Sequence, residues 1–129
     1  MGLADDLYTL LNTDWDASII AKSTFHKNEQ NPRPEPRHIF LNAQDQGVFI
    51  EDASDNTLDQ KVQNFKITIY EGNNADVEKS IQAVKKAIHT KEVTSGYYHI
   101  DSFLIEEKNQ LCSCELQGRL TKFIGASEF

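Results

Sequence analysis

Between Val62 and Ile88 the hydrophobic period changes once, from that of a strand to that of a helix, and this change limits the folds open to the chain. In Val62–Tyr70, Phe65, Ile67 and Ile69 alternate with polar residues, the pattern of a strand with one face buried. Gly72-Asn73-Asn74 stops the strand and supplies an N-cap. Beyond it Val77, Ile81, Val84 and Ile88 share one helical face, with Ala83 and Ala87 beside them. Asp76 and Glu78 lie at the helix start and Lys85, Lys86 and Lys91 toward its end, the order that the helix dipole favours. A half-buried strand followed at once by a one-sided helix places that helix on a sheet.

The other elements fit the same two layers. Leu3, Leu7, Leu10 and Leu11 make an apolar stripe on a short helix that ends near Asn12-Thr13-Asp14. Trp15–Phe25 shows no clear period and reads as an extended arm, and Asn31–Pro36 holds every proline, so it reads as a stiff exposed loop. Arg37–Asn42 and Gly47–Glu51 read as strands that form a hairpin across Asp45-Gln46, and the polar run Asp52–Gln60 follows. Two longer strands, Tyr97–Glu106 and Leu111–Ile124, meet at Glu107–Gln110. In the second, Cys112, Cys114, Leu116, Leu120 and Ile124 face the core while Ser113, Glu115, Gln117, Arg119 and Thr121 face water, with Gly118 marking a bulge. The expected fold is α+β: a two-layer, mainly antiparallel sheet with helices on one face, in the order α-β-β-β-α-β-β. Residues 1–129 are expected to form one domain, with the arm and Pro-rich loop at about 15–36.

Composition narrows the function. Thirteen basic residues against twenty acidic ones give a formal charge of −7, which repels phosphate backbones and anionic membranes. The local cluster Lys85, Lys86, His89 and Lys91 reads as a solvated helix end. No apolar run approaches bilayer length, the start Met1–Asp6 lacks a signal peptide's basic residues, and Asp6 stands where a myristoylation motif needs Ser or Thr, so a reducing cytosol is expected. Cys112 and Cys114 share one strand face, badly placed for a disulfide and too few for a metal, and read as buried apolar thiols.

No motif carries catalysis. The four histidines form no ligand pair of the HExxH kind, and the glycines form no phosphate loop. His99 and Asp101 fall on one strand face, but with no nucleophile or third group they read as a cross-strand polar contact and not as a hydrolase site. Glu106-Glu107 and Asp5-Asp6 are explained by solvation and the helix dipole. No catalytic, metal-binding or cofactor-binding residue is assigned, no cofactor is expected, and the chain reads as a non-enzyme. The arm stands out: Trp15, Ile19, Ile20 and Phe25 are apolar anchors suited to a subunit interface, or they fold back on the chain's own sheet.

Asn64–Tyr70, a polar link, and Asp76–Ile88 together resemble the tail-terminator (minor tail) proteins of tailed viruses, in which such a strand feeds such a helix. In order of elements the likeness covers nearly the whole chain. Trp15–Lys22 departs from the common bacteriophage pattern and looks more like versions in archaeal viruses or proviruses. The resemblance implies a structural virion protein of the tail and neck, made in the host cytoplasm. It implies a homo-oligomeric ring, usually hexameric, that caps the tail tube and joins it to the head-tail connector, without enzyme activity. DNA would pass through the ring without specific binding, and no membrane is involved. The alternatives are a small monomeric domain that binds a protein or peptide along a sheet edge, and another neck or connector component.

Overall fold

The computed structural model describes residues 2–28, 37–43, 48–51, 58–93, 96–108 and 111–125, with backbone alone at 48–51, 58–60, 93, 108 and 123–125. The Pro-rich loop at 31–36, the Asp45-Gln46 turn, the polar run at 52–57, the Asn109-Gln110 turn and the Ile124 side chain lie outside the described residues. The elements are α1 (Leu3–Asp14), β1 (Thr24–Lys27), β2 (His38–Ala43), β3 (Val48–Glu51), β4 (Leu58–Glu71), α2 (Asn74–Ile88), β5 (Glu92–Val93), β6 (Gly96–Lys108) and β7 (Leu111–Gly125). The expected α+β order is present, with β1 and β5 added as short marginal strands.

The sheet runs β1-β2-β4-β7-β6-β5, and every pairing among the described residues is antiparallel except that of β1 with β2. Strand β4 is its axis. One edge pairs along its whole length with β7, while the other carries β2 against Phe65–Tyr70 and β3 against Asp59–Val62. Strands β2 and β3 therefore lie end to end along β4 and do not form the expected hairpin with each other. The hairpin partner of β3 is β4.

Both helices cover one face. Leu3, Leu7 and Leu11 of α1 and Val77, Ile81, Val84, Ala87 and Ile88 of α2 are buried against Ile39, Leu41, Phe65, Ile67, Ile69, Tyr98, Cys112, Cys114, Leu116 and Leu120 in one cluster. The period switch positions α2: its whole expected face is buried, and the Asn73 Oδ1 accepts from the Asp76 N–H at 2.8 Å. At the start of α1 the Asp5 carboxylate accepts from the Gly2 N–H at 3.2 Å.

Two expectations for β7 change. Thr121, assigned to the wet face, is 4% exposed. The bulge sits in β6, where Asp101 is the extra residue between the Ile100–Gly118 and Ser102–Gln117 pairs. Gly118 lies opposite it for a different reason: a Cβ there would stand 2.5 Å from the Phe65 ring and 2.7 Å from the His99 carbonyl oxygen. The glycine is the floor on which the Phe65 ring rests.

Candidate functional site

The groups that bear chemistry are dispersed. Asp101, the bulged residue of β6, and His99 two positions before it stand with Oδ1 and Nε2 3.7 Å apart, and the Arg119 Nε lies 3.5 Å from the same carboxylate oxygen. All three side chains are more than a third exposed. This is a surface ion cluster across β6 and β7, worth little in water. His89 serves the backbone instead, its Nδ1 accepting from the Ile100 N–H at 3.1 Å and so satisfying a donor at the sheet margin.

On the face away from the helices, His26 and His38 meet through Nε2 and Nδ1 at 2.8 Å, their ring planes 20° from parallel. One imidazole donates and the other accepts. His26 also stacks on Phe40 at 4.5 Å, and Tyr70 meets Phe40 edge-on at 5.7 Å. This lid explains why Phe40 is 3% exposed although it points away from the core. No local pattern announces it, because the two histidines lie twelve positions apart and their meeting depends on β1 lying beside β2.

Glu71, at the end of β4, is the one buried carboxylate among the described residues. Ser80 donates to its Oε1 at 3.1 Å, while Oε2 and the Ser23 Oγ are buried without hydrogen-bond partners. Burial pushes the Glu71 carboxyl above its ordinary value, against the smaller lowering effects of the Ser80 hydroxyl, the Arg37 charge and the nearby Ser23 hydroxyl, which lies beside the carboxylate without the geometry of a full hydrogen bond. Cys112 and Cys114 are free and buried, as expected. Burial raises both thiols, Cys114 to about 11, so neither is a ready nucleophile. Among the described residues no group of three or more His, Cys, Asp or Glu side chains could hold a metal ion, and no helix is long and apolar enough to cross a membrane.

The arm returns to its own body. The Trp15 Nε1 donates to the Ile20 carbonyl at 2.9 Å, its ring meets Phe25 at 5.5 Å, and Phe25 meets Tyr8 at 5.9 Å. Ile20 is 6% exposed, and Trp15, Ile19 and Phe25 are half-buried. Asp16 ties the arm to α2 through Lys86, and Asp14, the last residue of α1, bonds Lys91 in the loop after α2. The hydrogen bond from Lys86 holds the Asp16 carboxyl at about 2. Of the residues assigned to a subunit interface, Ile20 contributes to the chain's own fold, and the other three offer partial faces.

Exposed apolar surface lies elsewhere. The large hydrophobics most open to solvent among the described residues are Tyr97, Phe103 and Leu104, at 36%, 49% and 59%, all on β6. Strand β5 covers only Gly96 and Tyr97 of β6, so from Asp101 to Glu107 no described strand pairs with β6 on the side away from β7. Sequence reasoning misses this margin because Phe103-Leu104-Ile105 has the composition of a buried strand.

No family model matches the chain, and a search of curated proteins finds no match. Among solved structures, a chain of a structure titled "Virion of native gene transfer agent (GTA) particle" shares the fold. The TM-score is 0.61, with 17% identity, over 95% of this chain and 96% of that one. At that identity the likeness is one of fold.

Proposed function

We propose that the chain is a structural subunit of a virion or virion-like particle, and specifically a tail terminator. In this role it forms a ring that caps the tail tube and joins it to the head-side connector. The observation that carries the reading is the end-to-end fold match to a chain of a gene transfer agent particle, which takes in nearly all of both chains. The strand-to-helix pattern at Asn64–Ile88 supports it independently, being the part of the sequence that resembles tail terminators. The dispersed, solvent-screened polar groups suit a protein that works by assembly.

On this reading the ring is a homo-oligomer, most simply a hexamer, and DNA passes its channel without specific contacts. Electron microscopy tests the role directly. Purified protein should form rings, and gold-labelled antibody should decorate particles at the head–tail junction. Label on the capsid or along the tail would move the chain to another virion component, and particles lacking it altogether would overturn the proposal.

A further inference from the structure

A subunit that builds a ring needs two different complementary surfaces, because a patch that pairs with itself closes at two copies. The sheet ends in two unlike margins. At the β6 margin the run Asp101–Glu107 has open backbone groups along every second residue, the exposed side chains of Phe103 and Leu104, and the exposed acids Glu106 and Glu107. At the opposite margin, among the described strands β1 pairs with β2 alone; it ends at the exposed Lys27, and the exposed Lys22 precedes it. Lys22 lies 5.8 Å over the Phe25 ring, and Lys27 bonds Asp5 at 2.7 Å.

The charges decide between partners. If β6 paired antiparallel with its own copy about Leu104, Glu107 would face Asp101 across the new ladder and Glu106 would approach the same acidic stretch, and like charges opposite one another are destabilising. Pairing with β1 instead sets an acidic margin against a basic one: Lys22 and Lys27 are five residues apart, the spacing of Asp101 and Glu106, so each lysine can stand opposite an acid in one register. Resting on the assembly reading above, we propose that the β6 margin of one copy docks on the β1 margin of the next, extending the sheet from subunit to subunit. Leu104 and Phe103 supply the apolar contact, the Glu106-Glu107 end of β6 meets one of the two lysines of the β1 margin, and Asp101 meets the other. The same acids block indiscriminate edge-to-edge growth.

Charge reversal tests this in solution by native mass spectrometry and sedimentation, with circular dichroism confirming that each variant folds. D101K/E106K/E107K and K22E/K27E should each weaken assembly at least tenfold. Their equimolar mixture should recover it, since each reversed margin then meets its complement. Leu104→Lys, at a position 59% exposed, should also weaken assembly and does not depend on the Lys27–Asp5 bond. Full-size oligomers in both charge variants, or no recovery on mixing, would overturn the edge pairing while leaving the ring standing. A wild-type species that stops at two copies would overturn the pairing as well. Wild-type protein monomeric at every concentration, and absent from particles, would remove both.

Discussion

Glu71 is the one buried carboxylate among the described residues, and one of its oxygens has no hydrogen-bond partner. With its folded-state pKa above the unfolded value, the unfolded chain releases this proton first as pH rises. The group therefore costs nothing below about the usual glutamate range, destabilises the native state progressively as pH rises toward its folded pKa, and above that adds a constant cost. In Glu71→Gln the amide oxygen still accepts from Ser80, and the amide N–H can serve the unpartnered Ser23 oxygen. The variant should be more stable than wild type by about 1 kcal/mol at pH 7. The difference should vanish as pH falls toward 4, and urea melts across that range would show a constant offset if burial of charge is not the cause. Gly118 makes an opposite case: Gly118→Ala puts a methyl group into the Phe65 ring and a backbone oxygen, and should cost about 2 kcal/mol by overpacking. A neutral result in thermal melts would mean that the ring can lift, contrary to its 4% exposure.

At the scale of elements, legibility follows the range of the interactions. Helix α2 declares itself through its period and cap, all local, and Asn73→Ala should cost about 1 kcal/mol in chemical denaturation because the Asp76 N–H loses its acceptor. Recovery by Asn74 taking over the cap would appear as a loss well below that figure. Strands β4 and β7 are legible because one of their faces is buried along most of its length. Strand β1 is not: Thr24–Lys27 is extended only because it lies parallel to His38–Leu41, and such a pairing leaves no mark in a four-residue stretch. The hairpin expected of β2 and β3 fails for the same reason, since the long β4 accepts both in line and turn chemistry cannot report a third strand. As for the candidate site, Trp15, Ile19, Ile20 and Phe25 are recognisable in the sequence as apolar and unpatterned. Whether such residues meet their own fold or a neighbour depends on the space between α1, β1 and α2, which no local pattern encodes. The exposed β6 pair Phe103 and Leu104 is hidden for the converse reason, that a marginal strand and a central one share a composition.

For the whole molecule the decisive quantity is charge and where it is neutralised. The basic cluster at the end of α2 is the part of the sequence best suited to phosphate, yet Lys86 bonds Asp16 at 2.5 Å, Lys91 bonds Asp14 at 3.0 Å, and Lys85 lies 4.6 Å over the Phe103 ring. Its cations are engaged within the chain, and the remaining field is that of a molecule with formal charge −7. Duplex binding without sequence preference is driven by release of counterions when lysines and arginines approach phosphates, and reaches Kd of about 10⁻⁴ to 10⁻⁶ M at physiological salt for proteins equipped for it. This chain should fall short of that range. Fluorescence anisotropy with a labelled duplex should show no saturable binding at about 0.15 M salt and up to about 100 µM protein. Asp14→Asn with Asp16→Asn, which frees Lys91 and Lys86, should bring binding closer and make it steeply salt-dependent. Tight binding by the wild type would count against the proposed ring, through which DNA would have to slide, because each bound phosphate would act as a brake. Weak binding by the wild type together with a gain in the double variant would instead show that Asp14 and Asp16, besides tying the fold together, keep this basic face from holding phosphate, as the proposed ring requires.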